Sequence, residues 1–378
     1  MADYEAVNGV VAGSIQAVNG VVKSSIQAVN GATTPASGAS RWAAIYDGSG
    51  NDFYIGHAAN SDLGSWTLYS GNTADPHGIR LVYGKDSNGN PKWVAVVSSN
   101  NPEIMFDDDN DITDGATWGT FNITTGNLKQ RAIGWGNNMF VSIGDMTSSN
   151  KYVYRSNDGE DWQHASRAPV DISGLTSIST TNVTALATDG AGSWLFGQDT
   201  RVYKSTDDGA SWALESTPGG EIKDIVYTNS TWVLLRQDSG YAKLQTAAAV
   251  DMSSASLSWG TATALGGSSG DLSQTASRMT GAGGRVIAVA GSYCCAANVG
   301  GTTVTVLFNG RVNLGVGSAN CIATDGTTWL VGHDSGTPSG AITKSTDGGE
   351  NWSTALAGTA HEGNRKVEDI KADVYLPL

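Results

Sequence analysis

Residues 205–212 read Ser-Thr-Asp-Asp-Gly-Ala-Ser-Trp, and residues 345–352 read Ser-Thr-Asp-Gly-Gly-Glu-Asn-Trp. Both fit the pattern Ser-x-Asp-x-Gly-x-x-Trp, which predicts a tight turn. In such a turn the aspartate accepts backbone N–H groups, the glycine adopts a positive φ, and the tryptophan packs between neighbouring sheets. The residues expected to have these structural roles are Ser205, Asp207, Gly209, Trp212, Ser345, Asp347, Gly349 and Trp352.

Weaker copies of the pattern occur elsewhere in the chain. Residues 156–162 lack one position and supply Ser156, Asp158, Gly159 and Trp162. Residues 111–118 are a looser copy that keeps Gly115 and Trp118. Residues 61–66 and 251–259 are eroded further, and the segment around Asn309 has lost the pattern. The copies therefore predict a repeated structural unit.

A second signal has the same period. Seven Gly/Asn/Asp-rich turns precede apolar strands, at residues 47–51, 87–90, 136–138, 190–192, 228–230, 281–284 and 325–327. They recur about every 46 residues, a blade-length spacing. We therefore predict an all-β fold, a seven-bladed β-propeller of four-stranded antiparallel blades.

Composition supports this prediction and excludes several classes. The 378 residues include 49 Gly, 8 Pro and 15% charged residues, which disfavours a helical bundle or a Rossmann-type enzyme. A net charge of −14 makes nucleic acid and anionic membranes poor partners. The start of the chain has no apolar run typical of a signal peptide, and no stretch is apolar enough for a transmembrane helix. Cys294, Cys295 and Cys321 lack zinc-site spacing and are expected to be buried.

The first 35 residues form a separate repeat. The tetrapeptide Ala-Val-Asn-Gly begins at residues 6, 17 and 28, and Ser-Ile-Gln precedes the last two copies. Asn-Gly favours tight hairpin turns, so each copy reads as a small strand–turn unit that cannot bury itself alone. The repeat is either a flexible leader or an arm that docks on a partner. The docking residues would be Val7, Asn8, Gly9, Ile15, Val18, Asn19, Gly20, Ile26, Val29, Asn30 and Gly31.

The chain thus divides into four segments. A docking arm spans residues 1–35, a small-residue linker 36–40, and the propeller 41–360. A C-terminal tail, 361–378, alternates enough to add one strand, which either closes the ring or pairs with a neighbouring subunit.

The turn pattern resembles the Asp-box, or bacterial neuraminidase repeat, of sialidase-like propellers and their non-catalytic relatives such as photosystem assembly factors. The resemblance covers about residues 41–357 and implies architecture more than activity. The Arg-Ile-Pro motif of sialidases is absent, and the nearest string, residues 167–169, follows the third unit. We therefore expect no sialidase activity.

Other catalytic and cofactor signatures are weak. The sequence has no GxSxG, HExxH or Walker motif, and its five histidines are scattered and expected on the surface. No cofactor is expected, apart from a weak calcium site at Asp107, Asp109 and Asp111, whose alternating carboxylates compete with an ordinary acidic turn. Aromatic residues outside the turns either fill the space between blades or line a sugar-binding face: Trp42, Trp93, Trp135, Tyr152, Tyr154 and Tyr203.

The arm resembles the leaders of structural proteins of tailed, particularly marine, bacteriophages. The resemblance implies a non-enzymatic virion protein whose arm docks on capsid or tail proteins. Its propeller would bind a host surface, with glycans as candidate ligands, or another protein. The alternatives are a tail-associated glycan hydrolase and an assembly scaffold.

Overall fold

The computed structural model describes most of the chain beyond residue 40 and short pieces before it. The described residues are 17–18, 21–22, 28–29, 32–33, 41–47, 53–59, 61–70, 77–98, 103–107, 118–123, 130–144, 151–180, 183–238, 240–249, 252, 256–265, 278–308, 310–334, 341–356 and 366–373. Within them, no helix is long and apolar enough to cross a membrane.

The described part of the arm consists of two minimal hairpins. Strand β1 (Ala17–Val18) pairs with β2 (Val21–Val22), and β3 (Ala28–Val29) pairs with β4 (Ala32–Thr33). Each pair flanks an Asn-Gly dipeptide of the repeat. Val18 and Val29 therefore lie in strands, and the remaining predicted docking residues lie outside the described residues: Val7, Asn8, Gly9, Ile15, Asn19, Gly20, Ile26, Asn30 and Gly31.

From Arg41 onward the chain forms antiparallel sheets in sequence order, which we number as blades 1 to 7. Blades 1 to 3 contain β5 (Arg41–Asp47), β6 (Phe53–Ala59), β7 (Thr67–Ser70), β8 (His77–Lys85), β9 (Pro91–Ser98), β10 (Glu103–Asp107), β11 (Trp118–Asn122), β12 (Gln130–Gly136), β13 (Met139–Gly144), β14 (Tyr152–Ser156) and β15 (Val170–Asp171). A 3-10 turn, Ala165–Arg167, precedes β15.

The later blades repeat this arrangement. Blades 4 to 7 contain β16 (Val183–Thr188), β17 (Trp194–Gln198), β18 (Arg201–Ser205), β19 (Ala213–Ser216), β20 (Glu221–Thr228), β21 (Thr231–Asp238), β22 (Tyr241–Ala248), β23 (Thr263–Ala264), β24 (Arg278–Ala282), β25 (Arg285–Ala290), β26 (Tyr293–Gly300), β27 (Thr303–Val306), β28 (Val312–Asn313), β29 (Ala319–Thr324), β30 (Trp329–His333), β31 (Ile342–Ser345) and β32 (Ser353–Leu356). Blade 6 has an extra short strand, since β28 pairs with β26 beside β27. The predicted seven-bladed propeller is confirmed.

The last strand closes the ring. Strand β33 (Lys366–Ala372) pairs antiparallel with β5 and becomes the innermost strand of blade 1. The N–H of Asp373 then donates to the carbonyl of Arg41, and the N–H of Arg41 donates to Asp373 Oδ1. Of the two pairings left open for the C-terminal tail, the structure has ring closure, and the propeller extends into the segment predicted as a tail.

This closure corrects the alignment of the first turn. Residues 47–51 belong to the set of seven turns predicted from the sequence, and the other six turns join the first and second strands of blades 2 to 7. Because β33 supplies the first strand of blade 1, the connection after β5 joins the second and third strands instead. Because the first strand of blade 1 comes from the far end of the chain, the sequence around residue 47 does not indicate which two strands this turn joins.

The hydrophobic core lies between the blades. Among the described residues, seven apolar clusters each combine side chains of two neighbouring blades, one cluster per interface, from blades 1 and 2 around to blades 7 and 1. Second strands such as β17 and β25 are covered on both faces, which explains their unbroken apolar sequences. The three cysteines are buried, as expected.

Candidate functional site: the turns and the central channel

Three motif turns share one hydrogen-bond geometry. In each, the serine hydroxyl donates to the aspartate Oδ1 at 2.7 Å and accepts the glycine N–H at 2.9 Å. The aspartate Oδ1 also accepts backbone N–H groups two to four residues later, at 2.8–3.1 Å. The tryptophan Nε1 donates to the glycine carbonyl at 2.9–3.1 Å. The turns are Ser156 to Trp162, Ser205 to Trp212 and Ser345 to Trp352.

These contacts assign the turn residues to structure. Partial burial alone would raise the pKa of Asp158, Asp207 and Asp347, but hydrogen bonds within each turn lower it below its ordinary value. Each tryptophan packs in a cluster shared with the preceding blade: Trp162 between blades 2 and 3, Trp212 between blades 3 and 4, and Trp352 between blades 6 and 7.

In the weaker copies of the motif, the packing position of the tryptophan is better preserved than the hydrogen-bonded turn. Trp118 and Trp259 pack in the interfaces before their own blades, and Trp66 donates its Nε1 proton to the carbonyl of Leu63. Gly115 lies outside the described residues. In blade 6, β26 and β27 are joined by a two-residue turn that has no room for the motif.

Two features of the structure favour glycine at position 159. Its φ is +77°, and a Cβ there would lie 2.9 Å from Cγ2 of Val94, a buried β-branched residue of blade 2. We expect Gly159→Ala to lower the free energy of unfolding by about 2–4 kcal/mol, from the left-handed backbone and the overlap together. Gly315 has φ +75° with nothing within 4 Å, so Gly315→Ala is a matched control that carries the backbone cost alone. Equal losses for the two variants in denaturant titrations would contradict tight packing at Gly159.

The inner strands share a bulge that aligns them around the channel. In six of the innermost strands, the pairing with the second strand of the blade shifts by one residue near the start of the strand. These strands are β8, β12, β16, β20, β29 and β33. Strand β24 is aligned with the others by the turn that follows it. Ala282 pairs with Arg285 in blade 6 as Thr228 pairs with Thr231 in blade 5, so Arg278, the first residue of β24, is equivalent to Asp224. We call the residues that follow the bulge the first ring, in blade order Asp369, Arg80, Ala132, Ala185, Asp224, Arg278 and Cys321.

Successive rings along the channel differ in chemistry. The second ring is aliphatic throughout: Ile370, Leu81, Ile133, Leu186, Ile225, Met279 and Ile322. The residues two positions after the second ring lie at the opposite end of the channel. They include three aromatic side chains and two threonines: Tyr83, Trp135, Tyr227, Thr188 and Thr324. The channel therefore has a charged end and an aromatic, hydroxyl-bearing end, separated by apolar packing. The channel cavity has a volume of about 310 Å³, within the usual size range of small-ligand sites.

The first-ring aspartates connect neighbouring blades. Asp369 Oδ2 accepts the N–H of Leu81 at 2.9 Å, and Asp224 Oδ2 accepts the N–H of Met279 at 2.7 Å. Asp224 Oδ1 also accepts the N–H of Ile225 at 2.9 Å. Both carboxylates thus satisfy inner-edge N–H groups that have no further strand to pair with.

Bulge residues make similar connections with their side chains. Thr184 Oγ1 donates to the carbonyl of Ile222 at 2.8 Å, and Asn320 Nδ2 donates to the carbonyl of Val367 at 2.8 Å. With the two aspartates, these bonds join four of the seven blade interfaces at the charged end of the channel.

Asp224 gives the propeller a specific pH response. Burial raises its pKa to about 6, although the hydrogen bonds from Met279 and Ile225 and the charges of Arg80 and Lys371 lower it. Between pH 4 and pH 6 the native state holds a proton that the unfolded chain has released, so this group destabilises the fold as pH rises.

We expect the loss of stability caused by Asp224→Asn to shrink between pH 4 and pH 7, by up to about 3 kcal/mol. The loss should be largest at pH 4, where the wild-type carboxyl is neutral, in denaturant titrations across this range. Asp86 is the opposite control. Slight burial would raise its pKa, but hydrogen bonds from Asn90 and Asn88 lower it, so the loss for Asp86→Asn should grow with pH. A pH-independent loss for Asp224→Asn would contradict the raised pKa.

Other sequence-predicted sites are not assembled by the described structure. Asp107 is buried at the end of β10, and Asp109 and Asp111 lie outside the described residues. No cluster of three or more metal-ligating side chains occurs among the described residues. The proposed sugar face is not supported: Trp42, Trp93, Tyr154 and Tyr203 are buried between blades, and Tyr152 packs at the interface of blades 2 and 3. Only Trp135 of this set lines the channel.

One histidine departs from the surface expectation. His333 is fully buried, with Nδ1 2.9 Å from the carbonyl of Gly317 and Nε2 2.9 Å from Thr343 Oγ1. Burial lowers its pKa to about 4, despite the hydrogen bond to Gly317, which favours the charged form. His333 is therefore a neutral core residue of blade 7.

Comparison with solved structures agrees with the architecture. A candidate 6-phosphogluconolactonase from Bacteroides fragilis has a TM-score of 0.57 at 12% identity, over 90% of this chain and 99% of that chain. A second, from Bacteroides uniformis, has a TM-score of 0.57 at 11% identity, over 88% of this chain and 98% of that chain. Apo AztD from Citrobacter koseri has a TM-score of 0.50 at 10% identity, over 88% and 98%.

These similarities define the class of protein, a seven-bladed β-propeller, and at such identities they show the fold alone. No protein-family model matches the chain, and no curated protein matches it.

Proposed function

We propose that this chain is a non-enzymatic accessory protein of a tailed-bacteriophage virion. Its arm attaches to a capsid or tail protein, and its Asp-box propeller is displayed to bind either a host surface, with glycans as candidate ligands, or another protein.

The independence of the ring from the arm carries this proposal. Strand β5 begins at Arg41 and pairs with β33, so the described ring is completed without residues 1–40. In the described sheets each arm hairpin pairs only within itself, β1 with β2 and β3 with β4. Three copies of a short apolar hairpin sequence beside a complete fold suit attachment to another protein, which would bury what the arm cannot bury alone.

The channel favours binding over hydrolysis. A glycosidase needs one carboxyl group to give a proton and another to act as nucleophile or base. The two carboxylates that line the described channel, Asp224 and Asp369, both accept backbone N–H groups from the next blade. Freeing either group for catalysis would break a connection between blades.

The arm is tested by cosedimentation with virions of the phage that encodes the chain, after native copies have been stripped. We expect the full chain to sediment with the particles and a variant lacking residues 1–35 to remain in the supernatant. The double variant Val18→Asp and Val29→Asp keeps the arm length and should also fail to bind. Equal binding of the shortened and full chains would place attachment on the propeller and contradict the role of the arm.

An assay for polysaccharide hydrolysis distinguishes the proposed binding function from the glycan-hydrolase alternative. We expect no release of reducing sugar from host polysaccharide by the full chain. Release that is lost in Asp224→Asn and Asp369→Asn variants, both still folded, would establish the hydrolase instead.

A further inference from the structure

The arm joins the ring at one defined end of the channel. Arg41, the first residue of β5, is held to Asp373, the residue that follows β33, by two hydrogen bonds. Strand β33 runs from the charged end of the channel toward the aromatic end, and its last residue, Ala372, lies two positions after Ile370 of the second ring. The chain therefore enters the propeller at the aromatic end.

The motif turns lie at the same end of the ring. Each inner strand runs toward the aromatic end, so the connection from the first to the second strand of a blade lies there, and in an antiparallel blade the connection from the third to the fourth strand does too. A contact joins the two kinds of connection: Asn137 of blade 3 donates its Nδ2 proton to Asp208 Oδ2 of blade 4 at 2.9 Å. We call this side of the ring the motif face and the other side the opposite face.

The length of chain before Arg41 confines the arm to the motif face. Eight residue steps join Thr33, the last residue of β4, to Arg41, and they span at most about 28 Å. A route around the rim from β5 crosses two strand spacings and then the length of a seven-residue strand, about 33 Å in all. The hairpin of β3 and β4 therefore cannot reach the opposite face around the rim.

The two faces also differ in charge. Among the described residues, the connections between strands on the motif face hold eleven carboxylates and one cationic side chain, Arg167, whereas those on the opposite face hold two of each. The carboxylates of the motif face belong to Asp62, Asp86, Asp158, Glu160, Asp161, Asp189, Asp207, Asp208, Asp325, Asp347 and Glu350. The charged residues of the opposite face are Asp199, Asp334, Lys151 and Arg311. A surface with one sign of charge favours a partner surface of the other sign.

We propose that the motif face is the side of the propeller that meets the virion, where it docks on a cationic surface of the capsid or tail protein that holds the arm. This inference rests on the attachment proposed above, and the position and reach of the arm carry it. The opposite face, with the charged end of the channel, is then directed away from the particle. It is the surface left for the propeller's own ligand.

Cysteine labelling of the bound propeller tests this orientation. The three native cysteines are buried, so a maleimide reagent reports on an introduced thiol. Ser87→Cys places the thiol in an exposed turn of the motif face, and Thr200→Cys is the control in an exposed turn of the opposite face. On particles stripped of native copies, we expect labelling of Ser87→Cys to slow at least about fivefold relative to the free chain, and labelling of Thr200→Cys to change less than about twofold.

A pair of charge reversals tests the chemistry of the partner surface. Glu350 is exposed on the motif face, and Glu221 is exposed at the start of β20, on the side of the opposite face. Glu350→Lys should weaken cosedimentation with the particles at least about threefold, and more at low salt than at high salt, because like charges then meet. Glu221→Lys should bind like the wild type, since it loses only the ion pair with Lys223.

Thermal melting should first show that all four variants are folded. Slower labelling of Thr200→Cys than of Ser87→Cys on the particle, or unchanged labelling of both, would overturn the orientation while arm-dependent cosedimentation still supported the attachment. Equal binding of Glu350→Lys and Glu221→Lys would overturn the cationic partner surface. If neither the full chain nor any variant sediments with the particles, the attachment and this inference fail together.

Discussion

Replacing Trp162 by alanine should lower the free energy of unfolding by about 3–5 kcal/mol. The side chain is fully buried between blades 2 and 3, where its ring lies 6.4 Å from that of Phe140. The substitution leaves a cavity and removes the donor to the buried carbonyl of Gly159. Equilibrium unfolding in guanidinium chloride, followed by fluorescence, measures the loss.

Two variants separate packing from the hydrogen bond. Trp352 makes the same Nε1 bond to its turn but is only partly buried, so Trp352→Ala should lose less stability. Trp162→Phe keeps most of the packing and should lose about 1 kcal/mol for the hydrogen bond. If Trp162→Ala were no worse than Trp352→Ala, the tryptophan would not be a wedge between blades.

Removing residues 366–378 should abolish cooperative unfolding of the propeller. The deletion takes away the inner strand of blade 1, including the buried Val367 and Ile370, and uncovers the edge of β5. It also removes the bond from Asp369 to Leu81. The expected loss is on the order of the whole stability of a domain, about 5–15 kcal/mol, so the product should aggregate or unfold without a sharp transition.

A complementation experiment tests whether the loss of stability comes from the missing pairing of β33 with β5. A synthetic peptide of residues 361–378 added to the shortened chain should restore a cooperative transition. The same peptide with Ile370→Asp should not, because a charge would enter the interface between blades 7 and 1. A shortened chain that melts like the full chain would contradict ring closure by β33.

The architecture was predictable because each blade carries local signals. A turn rich in Gly, Asn or Asp precedes the apolar second strand of blades 2 to 7, and the tryptophan of the motif marks the third turn of most blades. Ring closure was less accessible, because the strand that completes blade 1 is more than 300 residues from its partner β5 in the sequence. Alternation in residues 367–376 predicts a strand without naming its neighbour.

The channel chemistry was missed for a similar reason. Asp224 and Asp369 look like ordinary charged residues until the bulges align seven strands in one ring. A signal does exist: Lys223-Asp224-Ile225 and Glu368-Asp369-Ile370 both place two adjacent charges before an isoleucine within a strand. His333 gave no signal, because its burial depends on partners at Gly317 and Thr343.

Mass spectrometry of gradient-purified particles tests the proposed virion role most directly. Peptides from the propeller and the arm should be found in particles of the encoding phage, at a constant ratio to a capsid protein across the peak. The chain should stay with the particles through washing at moderate salt. If its peptides are found only in the infected-cell lysate and not in the purified particles, the virion role is wrong.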